Sequence, residues 1–192
     1  MNQFVPIHPA AADADRALGT LTRAFRADPP CRWLFPEEVA FERHFPALAL
    51  ALGAASFRDG TATVLQGGAA LWLAPDAAPD EEAIGALVAE ALPEHRHADA
   101  FAVFAAMEAR HPAEPHWYLP MVGVEPDRQG SGLGTALMRP VLDICDRTVV
   151  PAYLEATTGR SRALYERLGF RVTATIREGG CPPLWCMVRE PR

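Results

Sequence analysis

The chain has no lysine: all 18 of its basic side chains are arginine. That excludes a Walker-type phosphate loop, which needs a Lys after its last glycine. Positive charge is also in deficit, with 18 basic against 24 acidic residues and a net charge of −6. Such a chain lacks the clustered Lys and Arg of a nucleic-acid binder, and it suits a cationic amine as partner. No apolar run approaches the ~18–20 residues of a membrane span, so no membrane partner is expected. Cysteine is scarce. Cys31, Cys145, Cys181 and Cys186 form no Cys-x-x-Cys pair, and Met1-Asn2-Gln3-Phe4 opens no signal sequence. Free thiols in a cytoplasmic protein are the expectation, not disulfides. His95-x-His97 and His111 with His116 have no carboxylate or cysteine at ligand spacing. They read as surface histidines, and no metal site is expected.

With 192 residues, 49% of them apolar, the chain is long enough to bury roughly two-thirds of its unfolded surface as one domain, 1–192. Residues 3–7 read as a short strand. Ala14, Leu18, Leu21 and Phe25 recur at helical steps over 11–27, and Asp28-Pro29-Pro30 ends that helix. Phe41, Phe45, Leu48 and Leu52 mark a second helix over 36–55, which Pro46 should kink or split. A hairpin is expected over 61–66 and 68–74, and one or two helices over 80–110, broken near Pro93. An apolar strand covers 116–124 and a helix covers 132–147, bent at Pro140. The remainder reads as strand 149–156, helix 159–168, and strands near 170–177 and 183–189. That order fits an α/β domain with a mixed, mostly antiparallel twisted sheet and helices on both faces.

Residues 122–137 carry the most information. Val122-Gly123-Val124-Glu125-Pro126 is a strand with a proline stop, and Gly130, Gly132 and Gly134 then form a tight loop before a helix. Glycines without Cβ let backbone N–H groups approach an anion, and the helix N-terminus adds positive potential. The loop suits a pyrophosphate. It is no Rossmann fingerprint, because Thr135 stands where the last glycine belongs and the loop comes late in the chain.

These residues resemble the GNAT superfamily of acetyl-CoA-dependent acetyltransferases. The family motif Gln/Arg-x-x-Gly-x-Gly/Ala is matched by Gln129-Gly130-Ser131-Gly132-Leu133-Gly134. Its Val-x-Pro strand exit is matched by Val124-Glu125-Pro126. A second motif follows as Ala163-Leu164-Tyr165-Glu166-Arg167-Leu168-Gly169-Phe170. The resemblance is firm over about residues 115–177 and implies the GNAT fold, with acetyl-CoA as cofactor. It implies that the backbone of Met121, Val122 and Val124 holds the pantetheine arm, with a polarising N–H near Val122 or Gly123. The pyrophosphate falls to Gln129, Gly130, Ser131, Gly132, Leu133, Gly134 and Thr135. Thr158, Arg160 and Ala163 complete the expected cofactor contacts. Thr158 stands where family members often have Asn, and its hydroxyl replaces only one of the two amide bonds.

Tyr165 occupies the family position that donates a proton or hydrogen bond to the departing thiolate. Glu155 sits near the end of its strand on the same side as Tyr153. There it takes a proton from a substrate ammonium, directly or through water, or simply binds that cation, or else pairs with an arginine such as Arg160 or Arg162. The C-terminal half is most similar to puromycin N-acetyltransferases. The carrying segments are His116-Trp117-Tyr118-Leu119, Arg139-Pro140-Val141-Leu142, Tyr153-Leu154-Glu155-Ala156 and Pro182-Pro183-Leu184-Trp185, with Asp28-Pro29 and Trp33-Leu34-Phe35. This likeness places Trp33, Phe35, Trp117 and Trp185 as candidates for an acceptor pocket, each equally a core residue in its own right. The expected activity is acetyl transfer to the primary amine of a small molecule in a direct ternary complex, by a monomer or homodimer. The alternative is a non-catalytic acyl-CoA sensor on the same fold.

Overall fold

The computed structural model describes residues 11–192; the strand expected at 3–7 lies outside the described residues. Helix α1 (Ala11–Phe25) turns Ala17 and Leu21 fully into the core. Asp28-Pro29-Pro30 is more than a stop. Asp28 caps a second, short helix, α2 (Pro29–Leu34), by accepting the Cys31 N–H at 3.2 Å. Both prolines sit in its first turn, where no N–H donor is needed. Helix α3 (Glu38–Arg58) runs through Pro46 without the split that was one of the two expectations there. The proline ring strips the donor from the Glu42 carbonyl, a change that costs roughly 3 kcal/mol. Glu42 is exposed, so water can take that carbonyl. Phe41, Phe45, Leu48 and Leu52, buried on both sides of the proline, each contribute about 1.5–3 kcal/mol. Burial wins.

The hairpin β1 (Thr63–Leu65) and β2 (Gly68–Leu73) follows, then α4 (Glu81–Ala91) and α5 (His97–Glu108), separated by a 3-10 turn after Pro93. The second half alternates β3 (Trp117–Val124), α6 (Leu133–Thr148), β4 (Ala152–Ala156) and α7 (Gly159–Arg167) before β5 (Arg171–Ile176) and β6 (Leu184–Arg189). Helix α6 is also continuous, through Pro140, and the carbonyl it frees belongs to exposed Ala136. The six strands form one sheet in the order β1-β2-β3-β4-β6-β5. Every neighbouring pair is antiparallel except β3 and β4. Helices α1 and α3 pack on one face and α6 and α7 on the other. The chain has the GNAT fold.

Two irregularities open this sheet. β3 and β4 pair only at Trp117 with Ala152 and Tyr118 with Tyr153, so beyond those rows the strands diverge. β3 also bulges. Leu71 lies opposite Met121 and Leu73 opposite Tyr118, which leaves Leu119 and Pro120 facing Trp72 alone. The extra residue reverses the inside–outside alternation. Trp117 and Leu119 face α6, whereas Met121 faces the α1–α3 core. Pro120 fits at the bulge, where the ladder is already broken. Past it, alternate backbone groups of β3 point away from β2 into the gap.

Candidate active site

The gap between β3 and β4 is a cleft of about 640 Å³. Phe25 and Asp28 come to it from the α1–α2 turn, and Leu119, Pro120, Val122, Gly123 and Val124 from β3. The glycine loop closes one end, and Glu155, Thr157, Thr158, Arg160, Leu164, Tyr165 and Arg167 line the β4–α7 side. Helix α1 lies so close that a Cβ on Gly123 would sit 2.7 Å from Ala24 Cβ and 3.1 Å from Leu21 Cδ2. Only glycine lets α1 reach this depth.

In the loop, Gly130 and Gly132 have φ of +81° and +87°, and a Cβ at either would meet nothing within 4 Å. Glycine is required there by the sign of φ, not by crowding. Gly132 is the N-cap of α6 and supplies no side-chain oxygen. Among the described residues, no acceptor takes the N–H of Gly130, Ser131, Gly132, Leu133, Gly134 or Thr135. An uncapped helix N-terminus with free donors at a cleft is a ready anion site. Arg128, Arg160 and Arg167 also line the cleft. Arg160 Nη1 donates to Gln129 Oε1 at 2.6 Å, and Gln129 Nε2 donates to the Val124 carbonyl at 3.1 Å. Gln129 thus ties the loop to the strand. These residues fit the pyrophosphate of coenzyme A.

At some expected positions the side chain turns to other partners, which leaves the backbone contacts expected of Met121 and Ser131 untouched. Ser131 Oγ donates to the Arg128 carbonyl at 2.6 Å, bracing the loop from within. Neither it, Ala163 nor the Met121 side chain is on the cleft wall; Met121 packs into the opposite core. Thr158 lines the cleft, but its hydroxyl is committed to a capping box: it accepts the Ser161 N–H at 3.0 Å and donates to Ser161 Oγ at 2.9 Å. Phe35 and Trp117 are buried. Trp33 lies half-buried under the Arg96 guanidinium, and Trp185 under that of Arg162. None of these four aromatics lines the cleft. Trp117 precedes the bulge and points to α6. Phe25 supplies the aromatic wall instead.

Tyr165 stands on the cleft wall, 7% exposed. Its hydroxyl has no acceptor among the described residues. Burial, reinforced by the Asp28 carboxylate, raises its pKa above the ordinary phenol value. Asp28 itself is buried, accepts from Thr157 Oγ1 across the cleft mouth, and is shifted upward by desolvation. Sequence reasoning passed over it, although an Asp before two prolines is a legible helix cap.

Glu155 pairs with neither Arg160 nor Arg162. Its side chain is 4% exposed, and Tyr118 Oη donates to its Oε2 at 3.0 Å. Oε1 is buried without a hydrogen bond. Desolvation pushes the carboxyl up to about 7, against the bonds it accepts. His111 Nε2 lies 3.9 Å from Oε1. The His111 ring packs 4.4 Å from Tyr118 and 4.5 Å from Tyr153, centroid to centroid. The expectation of surface histidines is corrected here: β3 and β4 deliver two tyrosines to the turn before β3 and draw His111 inward.

Among the described residues no helix is long and apolar enough to cross a membrane. No group of three or more His, Cys, Asp and Glu side chains there could hold a metal ion.

The acetyltransferase (GNAT) family model matches residues 31–170, and the chain belongs to that family. A 78-residue stretch is 40% identical to an uncharacterized N-acetyltransferase of Schizosaccharomyces pombe, covering 39% of this chain and 32% of that protein. Another, of 86 residues, is 37% identical to the mycothiol acetyltransferase of Beutenbergia cavernae, covering 42% of this chain and 28% of that protein. These matches thus span about a third of either relative's length. Among solved structures, a histone acetyltransferase HPA2-related acetyltransferase of Corynebacterium glutamicum superposes with a TM-score of 0.66 at 24% identity, over 96% of this chain and 94% of that one. An agmatine N-acetyltransferase superposes at 0.65 with 16% identity, over 95% and 97%. At those identities the likeness is one of fold.

Proposed function

We propose that the protein transfers the acetyl group of acetyl-CoA to the primary amine of a small molecule, by direct attack within a ternary complex. The observation that carries this reading is Glu155: a carboxyl at the cleft, held at about 7 by burial, is a base matched to neutral pH. An acyl-CoA sensor has no use for it. An alkyl ammonium has a pKa of ~10, so a proton must leave before the nitrogen can attack.

Acetyl-CoA, when bound, supplies an activated acyl carbon and a thiol leaving group. The uncapped start of α6 and Arg128, Arg160 and Arg167 bind its phosphates. Backbone groups of β3 beyond the bulge, at Met121, Val122 and Val124, hold the pantetheine arm, and an N–H near Val122 or Gly123 stabilises charge developing on the carbonyl oxygen. Glu155 takes one proton from the ammonium. The nitrogen bonds to the acetyl carbon as the carbon–sulfur bond breaks. Tyr165, a weaker acid than a thiol, serves the sulfur as a hydrogen-bond donor. A covalent acyl-enzyme finds no support, because all four cysteines are buried, with Cys145 pushed up to about 12 and Cys181 to about 11. Asp28, Phe25 and Pro120 frame the acceptor end, which suits a cationic amine with an apolar body. Kinship to puromycin N-acetyltransferases is part of this proposal; puromycin itself as acceptor is not. The test is thiol release from acetyl-CoA against a panel of primary amines. Turnover on members of the panel supports the reading, and tight acetyl-CoA binding without turnover on any amine favours the sensor.

A further inference from the structure

The polar path that begins at Glu155 does not end there. His111 Nδ1 lies 3.0 Å from His116 Nε2, and His116 Nδ1 lies 2.8 Å from the Glu114 carbonyl. A carbonyl only accepts, so His116 Nδ1 carries the hydrogen, and in the tautomer able to take up a proton its Nε2 is bare. That nitrogen accepts from His111, so His111 carries its hydrogen on Nδ1. The bare nitrogen of His111 is then Nε2, the atom facing Glu155 Oε1 at 3.9 Å. Tyr118 donates to Oε2, whereas Oε1 is buried with no hydrogen bond among the described residues, and the equally buried and unpaired Tyr153 hydroxyl is the other polar group beside the carboxyl. A movement of about 1 Å closes the gap to hydrogen-bond length. Neither histidine lines the cleft, and His116 is partly exposed.

We propose that His111 and His116 form a proton exit that carries the proton taken by Glu155 to solvent without passing through the substrate cleft. This rests on Glu155 being the base. The proton count needs such a route. An ammonium loses two protons on becoming an amide: one ends on the sulfur, and the other must leave the protein. Glu155 gives its proton to His111 Nε2. His111 passes its Nδ1 proton to His116 Nε2, and His116 releases one to water. While substrates fill the cleft, the way back through it is closed.

The other groups around the path leave it intact. Tyr118 and Tyr153 are phenols whose pKa values burial raises, so they stay protonated. Glu108 and Arg110 at the end of α5 and Cys186 on β6 are the remaining titratable neighbours. Glu108 opposes negative charge on Glu155 and so helps it take up and hold a proton. Burial and His116 lower His111 to about 4. It is therefore neutral at rest and accepts a proton only in passing, as a relay should.

His116→Gln is the decisive variant. Its amide oxygen can still accept from His111 Nδ1, but it cannot take the proton. His111→Asn keeps a donor toward His116 and removes the Nε2 lone pair, and His111→Ala leaves room for added imidazole. Intrinsic tryptophan fluorescence checks that each variant is folded. Proton release is followed with a pH-indicator dye in stopped flow, beside thiol release. In the unaltered protein a proton should appear with the acetyl-transfer step, ahead of amide release. In His116→Gln and His111→Asn it should appear only as product leaves, with kcat lower by about tenfold or more. Imidazole should restore His111→Ala in a concentration-dependent way. Unchanged proton release and kcat in both substituted proteins, with amine acetylation intact in the parent, overturns the relay and leaves the acetyltransferase reading standing. No acetylation of any amine by the parent removes both.

Discussion

Replacing Glu155 by Gln should make the protein more stable and less active, each in a defined pH range. In the fold the carboxyl is held at about 7, against an ordinary 4.5, mainly by desolvation. Between those values the unfolded chain gives up its proton and the folded chain keeps it. The native state therefore binds more protons there, and stability falls as pH rises from about 4.5 to about 7. Two and a half pH units at 1.36 kcal/mol each come to about 3 kcal/mol, an upper figure for a group that can relax. The amide mimics the protonated carboxyl and does not ionise. Relative to the parent, Glu155→Gln should be near neutral at pH 4.5 and more stable by up to about 3 kcal/mol at pH 8. Turnover should move the other way. At pH 7 only about one alkyl amine in a thousand is unprotonated, and at pH 9 about one in ten. Loss of the base should cost about 10²–10³-fold at pH 7 and progressively less toward pH 9. Urea unfolding followed by tryptophan fluorescence at pH 5 and pH 8, and thiol release across the same range, read both effects. Superimposable stability profiles together with an equal kinetic loss at every pH would refute the assignment of Glu155 as a buried base.

Tyr165→Phe removes one hydroxyl that meets no protein acceptor, so stability and acetyl-CoA affinity should hold. A hydrogen bond to a charged group is worth about 1.5–3 kcal/mol, so kcat should fall roughly 10- to 100-fold in steady-state kinetics; a loss of affinity with kcat unchanged assigns the residue to cofactor binding. Gly132→Asp should cost only about 1–2 kcal/mol of stability, from a positive φ that Asp tolerates, while its carboxylate repels phosphate at the α6 N-terminus; calorimetry on the folded variant should show no heat with acetyl-CoA. Gly123→Ala drives a methyl to 2.7 Å from Ala24, and thermal unfolding should register about 1–3 kcal/mol of destabilisation. An unchanged melting temperature there would mean that α1 can withdraw from β3 freely.

The fold class was legible in the sequence because its signals are local. Helical periodicity in α1, the proline exit after Val124 and the Gly130–Gly134 loop each declare themselves within a few residues, and so does the uncapped start of α6, since a helix N-terminus and its donors are one contiguous segment. Local rules allowed a kink or a split at Pro46; the helix is not split, because the packing of Phe41 and Phe45 into a distant core outweighs a missing hydrogen bond. Asp28-Pro29-Pro30 ends the first helix as expected, and the structure adds that it also starts the next. The acceptor side had to await the tertiary structure. Alternation assigned Glu155 a face but not a depth, and depth is what sets its pKa. The bulge at Leu119-Pro120 turned Trp117 into the core by adding one residue, which no periodic pattern anticipates. His111 and His116 lie about forty residues from Glu155 along the chain. Only the pairing of β3 with β4 brings Tyr118, Tyr153 and both histidines to one carboxylate, because desolvation and proton transfer depend on distances through space that residue spacing does not encode.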